Sequence, residues 1–319
     1  MNAKQMQTST KVATGTANSK LILVGEHAVV HGKPAIAIPF PLVGVESTVE
    51  HVPGRIKLDS AFYHGPIESA PDNLTGIVRA IEETLKYVDM PLRDLLIQIK
   101  SSIPPGKGLG SSASVAIAVI KSLFNYAEVK YTEEELLNLV NIAETYAHGK
   151  PSGIDSVTIT SKSPVWFEME EPANYIEPKD DFYFIVADSG RTADTKTAID
   201  SITGLIKSAP KRFNAKLDRI GEITYQARDA LVKGGKYVLG QLLTEAQKEL
   251  EALGVSDAVL NRLIYFALEE GALGAKLTGG GNGGCIIALA KDESHSKHLT
   301  EKLIQYGAQA VWPFVLKKK

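Results

Sequence analysis

The sequence predicts a protein of two domains, each mixing helix and strand. Three observations carry that prediction. The chain has 319 residues, more than one hydrophobic core usually organises. Short β-prone runs alternate along it with longer segments whose apolar residues recur at helical spacing. A polar, proline-bearing stretch, Pro172–Pro178, marks the boundary, so domains are expected at residues 1–176 and 177–319. Composition narrows the class further. Hydrophobic residues make up 44% and charged residues 23%, ordinary values that indicate neither a disordered nor a membrane-embedded chain. A formal net charge of −2 gives no electrostatic reason to expect a nucleic-acid partner. The one cysteine, Cys285, excludes an internal disulfide framework and suits a reducing, cytoplasmic compartment. No apolar run approaches bilayer-spanning length, and no membrane partner is expected. Residues Met1 to Thr16 lack the apolar centre of a signal peptide and are expected to be a partly disordered lead-in. Lys317–Lys319 reads as a solvated tail.

The elements follow in order. Leu21 to Val24 is a short buried strand that stops at Gly25, with Glu26 and His27 just past its end. Ala35 to Ile38 is a second apolar piece. Val43 to Val52 alternates loosely, as a strand with one wet face does. Leu74 to Tyr87 carries apolar residues at helical spacing, and Leu95 to Ile99 alternates as a strand. The segment from Ser111 to about Tyr126 has one charge, Lys121, so a helix there must be largely buried. Thr132 followed by Glu135 is a capping-box pattern opening the next helix, which His148-Gly149-Lys150-Pro151 ends. In the second half, 182–187 reads as a strand. Helices at about 192–208, 212–233, 238–252 and 256–270 come next, then a strand pair at 275–278 and 285–290. A helix at 299–306 and a strand at 309–316 close the chain.

The stretch everything else surrounds is Pro104-Pro105-Gly106-Lys107-Gly108-Leu109-Gly110-Ser111-Ser112-Ala113-Ser114. Its glycines allow tight turns and leave no side chains between backbone and ligand. A helix beginning near Ser111 presents unpaired amides at its positive end, and such amides beside a glycine-rich loop suit phosphate. It is not a Walker A loop, which has Lys-Ser/Thr after its last glycine. A Gly-Ser turn that merely caps a buried helix has the same composition, so the loop alone leaves both readings open. Other candidates share this ambiguity. Glu144 flanks an apolar helical stripe and could hold a hard metal ion or simply reach solvent. Asp155 follows the turn Pro151-Ser152-Gly153-Ile154 and could act on a substrate proton or cap a turn or helix. Lys20 opens the first strand, where a surface lysine is ordinary. His27 is by itself most simply a core histidine, and His31 reads as structural. Thr278-Gly279-Gly280-Gly281-Asn282-Gly283-Gly284 joins two strands and could be no more than a flexible hairpin. Cys285, opening a strand, reads as buried packing.

Taken together these motifs resemble the GHMP kinases, in family order from residue 17 to 285. Pro104-x-x-x-Gly108-Leu109-Gly110-Ser111-Ser112-Ala113 is similar to their phosphate loop, and Lys276-Leu277-Thr278-Gly279-Gly280-Gly281-Asn282-Gly283-Gly284-Cys285 to their third motif. Lys20 through Pro34 and Pro151-Ser152-Gly153-Ile154-Asp155 resemble the mevalonate kinases within that family. Galactokinases carry Gly-Glu-His-Thr-Asp-Tyr where this chain has Gly25-Glu26-His27-Ala28-Val29-Val30. The lead-in Ala17-Asn18-Ser19-Lys20 departs from the usual Ala-Pro-Gly-Lys, yet the lysine stays in place. The resemblance implies a two-domain α+β fold. Its N-terminal domain would be like domain 2 of ribosomal protein S5, with a left-handed βαβ crossover, and its C-terminal domain ferredoxin-like. It also implies roles. Residues Pro105 to Ser114 would bind ATP, Ser112 and Glu144 Mg²⁺, and Glu26, His27 and Thr195 the acceptor. Asp155 and Lys20 would be catalytic, with Asp155 either taking the hydroxyl proton or aligning it. The glycine loop 279–284 would pack against the phosphate loop. The expected reaction is ATP-dependent phosphorylation of the 5-hydroxyl of (R)-mevalonate, for isoprenoid synthesis, with self-association into a homodimer left open. Phosphomevalonate or a sugar as acceptor remains an alternative. A catalytically silent ligand sensor is another, although it predicts loss of the base, the lysine or the metal carboxylate, and all three are present.

Overall fold

Two kinds of strand recur, half-wet ones whose burial alternates and others buried along their whole length. The computed structural model describes residues 11–149, 151–193 and 195–319, with the side chains of residues 148, 195–197 and 199 also outside the description. The chain forms two compact units, neither of them one continuous stretch. The first comprises the described residues through Ala17, together with Val43–Ser102 and Ser112–Pro151. The second comprises Asn18–Leu42, Ile103–Ser111 and Ser152–Lys319.

Two strands contribute to both units: β1 (Val12–Val24) and β2 (Ala35–His51), which pair with each other. In the first unit the later part of β2 runs antiparallel to β5 (Leu95–Ser101), with Val45 opposite Ser101 and His51 opposite Leu95. β5 is parallel to β3 (Lys57–Asp59), which pairs antiparallel with β4 (His64–Pro66). Val43, Val45, Ser47 and Val49 are buried on alternate positions of β2, the half-wet strand its pattern predicts. Three helices complete the unit: α1 (Thr75–Tyr87), α2 (Ser111–Ala127) and α3 (Glu133–His148). α2 buries ten of its residues, among them Ile117, Val119, Ile120, Leu123 and Phe124, as its lack of charge requires. The capping box at the start of α3 is formed. Thr132 Oγ1 accepts from Glu135 N at 3.2 Å, and Thr132 N donates to Glu135 Oε2 at 2.6 Å.

The N-terminal lead-in needs correction. From Val12 onward it is strand, the first half of β1. Its buried positions begin with Gly15, Ala17 and Ser19, which are small, so the alternation carries almost no hydrophobic signal. Smallness is enforced: a Cβ on Gly15 would stand 2.2 Å from the Ala118 carbonyl oxygen of α2.

The second unit is built on four antiparallel strands, β8 (Phe182–Asp188), β9 (Gly274–Thr278), β10 (Cys285–Ala290) and β11 (Ala310–Leu316), in the order β11-β8-β10-β9. Numbered within the unit that order is 4-1-3-2, the ferredoxin-like arrangement. Between β8 and β9 stand α5 (Thr195–Ser208), α6 (Pro210–Lys233), α7 (Lys236–Ala252) and α8 (Ala258–Glu269), with α9 (Glu293–Gln305) between β10 and β11. Ile185, Leu217, Leu263, Leu277, Ile286 and Leu299 meet in its core. The same unit holds α4 (Ile154–Thr160), β6 (Val165–Phe167) and β7 (Asn174–Tyr175), with the first residues of β2 pairing against β6. α9 starts six residues before the expected 299, because Asp292 caps it through a hydrogen bond from His295 N at 2.8 Å. Its first turns are polar and carry no apolar stripe.

Candidate active site

Two glycine-rich loops meet backbone to backbone in the second unit. Gly106, Gly108 and Gly110 have φ of 65°, 74° and 75°, and Gly279, Gly281, Gly283 and Gly284 are also at positive φ. A Cβ on Gly108 would come 3.0 Å from Gly279 Cα, and one on Gly284 would come 3.0 Å from the Lys107 carbonyl oxygen. Only glycine permits that approach, so what the sequence leaves open as a flexible hairpin is a tightly seated loop. Lys107 belongs to the first loop by its backbone and uses its ammonium as an anchor. Lys107 Nζ lies 2.8 Å from Asp188 Oδ1 and donates to the Arg191 carbonyl at 2.9 Å, with the side chain 7% exposed. Thr278 fixes the other loop, exchanging hydrogen bonds of 3.2 and 2.9 Å with the amide and carbonyl of Ile22 on β1.

Lys20 lies against the first of these loops, at Leu109 and Gly110. Its amide donates to the Leu109 carbonyl at 3.3 Å, and a Cβ on Gly110 would reach 2.9 Å from its Cγ. Lys20 Nζ stands 2.8 Å from Asp155 Oδ1. Asp155 occupies the first turn of α4, entered through Gly153 at φ 85°. The lysine side chain is 6% exposed and the aspartate 35%, so the cation is enclosed while the carboxylate can be reached. Two residues 135 positions apart in sequence thus form one polar centre beside the loop.

At the end of β1 the backbone turns through His27, which holds φ 61° without being glycine. Such strain persists only where the surroundings over-determine it and often marks a functional position. His27 Nε2 is 3.1 Å from the Gly280 carbonyl oxygen. A carbonyl only accepts, so Nε2 carries the proton and Nδ1 is left as an acceptor. Burial brings the His27 pKa down to about 4, keeping the ring neutral. Glu26 beside it is ion-paired with Lys276 of β9, both side chains being almost wholly enclosed. Burial pushes the Glu26 carboxyl up and the Lys276 ammonium down, and their mutual attraction opposes both shifts.

In the first unit, Ser112 opens α2 one residue after Ser111 and donates to Glu144 Oε1 of α3 at 2.6 Å. Glu144 is 9% exposed, which is unusual for a glutamate lacking a role. A hydroxyl and a carboxylate oxygen are the hard donors Mg²⁺ takes. Ala113 and Ser114 are buried in the same helix. Thr195 begins α5, and its side chain lies outside the described residues, as does that of Lys196. Cys285 is fully buried opposite Asp188, and burial raises its thiol far above the ordinary range, so it is packing. Lys276 and Asp188 escape sequence reasoning as site residues. Each is a charge inside a strand otherwise apolar, a signal visible in Gly274-Ala275-Lys276-Leu277-Thr278 that has no partner until the fold supplies one.

The chain is similar to known proteins over most of its length. Residues 73–162 match the GHMP kinases N terminal domain, and residues 227–309 match the GHMP kinases C terminal domain. The chain is 31% identical over 301 residues to the mevalonate kinase of Thermococcus gammatolerans, covering 87% of this chain and 89% of that one. It is 32% identical over 317 residues to the mevalonate kinase of Aeropyrum pernix, covering 94% and 95%. Among solved structures it resembles L. major mevalonate kinase in complex with R-mevalonate, with a TM-score of 0.84, 26% identity and 99% of each chain covered.

Proposed function

The chain belongs to the mevalonate kinases of the GHMP kinase family, and we propose from that premise that it transfers the γ-phosphoryl group of ATP to the 5-hydroxyl of (R)-mevalonate. The observation that carries the proposal is the Lys20–Asp155 pair at 2.8 Å, seated against the phosphate loop. Amides of the loop, freed by its glycines, cradle the phosphates. Asp155 receives the hydrogen bond of the acceptor hydroxyl, aligns its oxygen and takes its proton as the new P–O bond forms. The bond from the γ-phosphorus to the bridging oxygen breaks, and ADP leaves. Lys20 offsets negative charge on the transferring group, which spreads over oxygens rather than resting on one atom. Glu26 and the Nδ1 atom of His27 offer acceptors to the substrate's hydroxyls, and the substrate contact expected of Thr195 lies outside the described side chains.

Ser112 and Glu144 would hold Mg²⁺, since their oxygens are of the right kind and already converge. Bound with ATP, the ion would neutralise phosphate charge. We also propose the division into functional halves at 176/177, a cytoplasmic location suited to the single cysteine, and a homodimer to be read by light scattering. Among the described residues no helix is long and apolar enough to cross a membrane.

The test is ADP release in a coupled assay with Mg·ATP, across mevalonate, phosphomevalonate, galactose and homoserine. Turnover with mevalonate, abolished in a folded Asp155→Ala variant, is the expected result. Turnover confined to a different alcohol would keep the chemistry and sink the substrate. Wild-type protein that binds ATP and turns over none of them would overturn the proposal.

A further inference from the structure

Lys276 is a charge where a strand wants an aliphatic side chain. It sits in β9 at 0% exposure, between Ala275 and Leu277, and its ammonium donates to Glu26 Oε1 and to the Leu277 carbonyl. Lysines are almost never enclosed this completely without a pairing role. Thr278, two residues on and so on the same face of β9, is bonded to Ile22 of β1. β9 is thereby pinned to the strand that delivers Glu26, and the ion pair has little freedom.

The other half of the pair is unfinished. Glu26 is 2% exposed at its side chain, and its Oε2 has no hydrogen-bond partner among the described residues. A carboxylate oxygen sealed from water and unpaired is costly, and native proteins keep such atoms where a ligand or bound water completes them. The chemistry of the missing partner follows from the acceptors present. An ionised carboxylate only accepts, and the adjacent His27 has its proton on Nε2 and only an acceptor at Nδ1. The partner must therefore bring donors. A hydroxyl does so, whereas phosphate and carboxylate oxygens bring only further acceptors.

We propose that Lys276 is a positioning residue for the acceptor alcohol, holding Glu26 Oε1 so that Oε2 faces a substrate hydroxyl as a charged acceptor. This rests on the reading of Glu26 as a substrate contact. Lysine is needed because burial drives Glu26 toward its protonated form, in which one oxygen becomes a donor and the carboxyl can rotate. The charges facing Glu26 are Lys276 from β9 and, more weakly, Lys20 from β1. Without Lys276 the remaining cation is already engaged by Asp155.

The experiment is steady-state kinetics on the full chain, with mevalonate and ATP varied separately and pH varied from 6 to 9, for wild type, Lys276→Met and Glu26→Gln/Lys276→Met. Lys276→Met should raise the KM for mevalonate about tenfold or more, the loss of a charge-assisted hydrogen bond, and leave the KM for ATP nearly unchanged. Its kcat/KM for mevalonate should climb with pH as the unpaired Glu26 ionises, with the rise displaced to higher pH than in wild type. A folded Lys276→Met protein with wild-type KM and a wild-type pH profile overturns the proposal. If that variant does not fold, the double variant decides, because removing both charges leaves no lone buried ion. It should fold, keep the raised mevalonate KM and show no new pH limb, and a wild-type KM in it overturns the proposal. Wild-type turnover of mevalonate is the separate reading of the proposed function, so failure of that assignment and insensitivity to Lys276→Met are distinguishable.

Discussion

Acid should unfold this protein partly through one buried ring. His27 is 6% exposed. Burial, with lesser pushes from the charges of Lys276 and His31, takes its pKa from 6.5 to about 4, against the Gly280 hydrogen bond that works the other way. The sign follows from linkage. The unfolded chain takes up a proton as pH falls through 6.5 while the folded ring stays neutral until about 4, so stability is lost across that window and is fully present above it. The whole shift corresponds to about 3 kcal/mol, of which about 2 kcal/mol is already lost at pH 5. His27→Asn is the comparison of choice, because asparagine tolerates the positive φ and does not titrate. Urea unfolding of both proteins at pH 7.5 and pH 5, followed on the transition that the substitution shifts, isolates the term. Wild type should lose about 2 kcal/mol more than His27→Asn between the two conditions. Equal losses would mean that the folded ring accepts its proton as easily as the unfolded one, and the burial argument would fail.

Two further outcomes test the loops and the metal. Gly281 and Gly254 share φ 75°, but a Cβ on Gly281 would lie 2.0 Å from the Val255 carbonyl oxygen, while one on Gly254 would meet nothing within 4 Å. Gly254→Ala should cost about 1 kcal/mol for its backbone alone, and Gly281→Ala clearly more. Equal shifts in Tm would show that the glycine loop is not tightly seated. Ser112→Ala and Glu144→Gln should each raise the Mg²⁺ concentration giving half-maximal rate by about tenfold or more, even loss of an outer-shell partner being that costly. An unchanged Mg²⁺ dependence in both would remove the pair from the metal site.

What was legible in the sequence is what chemistry demands at short, fixed spacing. Two loops that approach backbone to backbone need glycines within a few residues of one another, and 106–110 and 279–284 display them. An apolar helix announces its burial, as α2 does, and a capping box needs only positions 132 and 135. The strands that went unread are those with no hydrophobic period to read, through small buried residues or through shortness. β1 buries the small residues Gly15, Ala17 and Ser19 on its first alternate positions, and at Gly15 α2 leaves no room for a side chain. β3, β4, β6 and β7 are two or three residues long, too short for any period to register.

The same distinction separates the parts of the site. Lys20 and Asp155 could be named from their motifs, yet their 2.8 Å approach is a property of the fold. Lys276 lies 250 positions from Glu26, and nothing local to either residue requires the other. A buried lysine in a strand is nevertheless a conflict between local propensity and burial that the fold must resolve, and such conflicts concentrate where function is. Lys107 shows the complementary error. In sequence it is a cation within a phosphate loop and invites a role on the anion, but its ammonium closes on Asp188 and the Arg191 carbonyl. The charge fixes the loop's backbone, and under the proposed function that anchoring matters because amides bind phosphate only as well as their loop holds still.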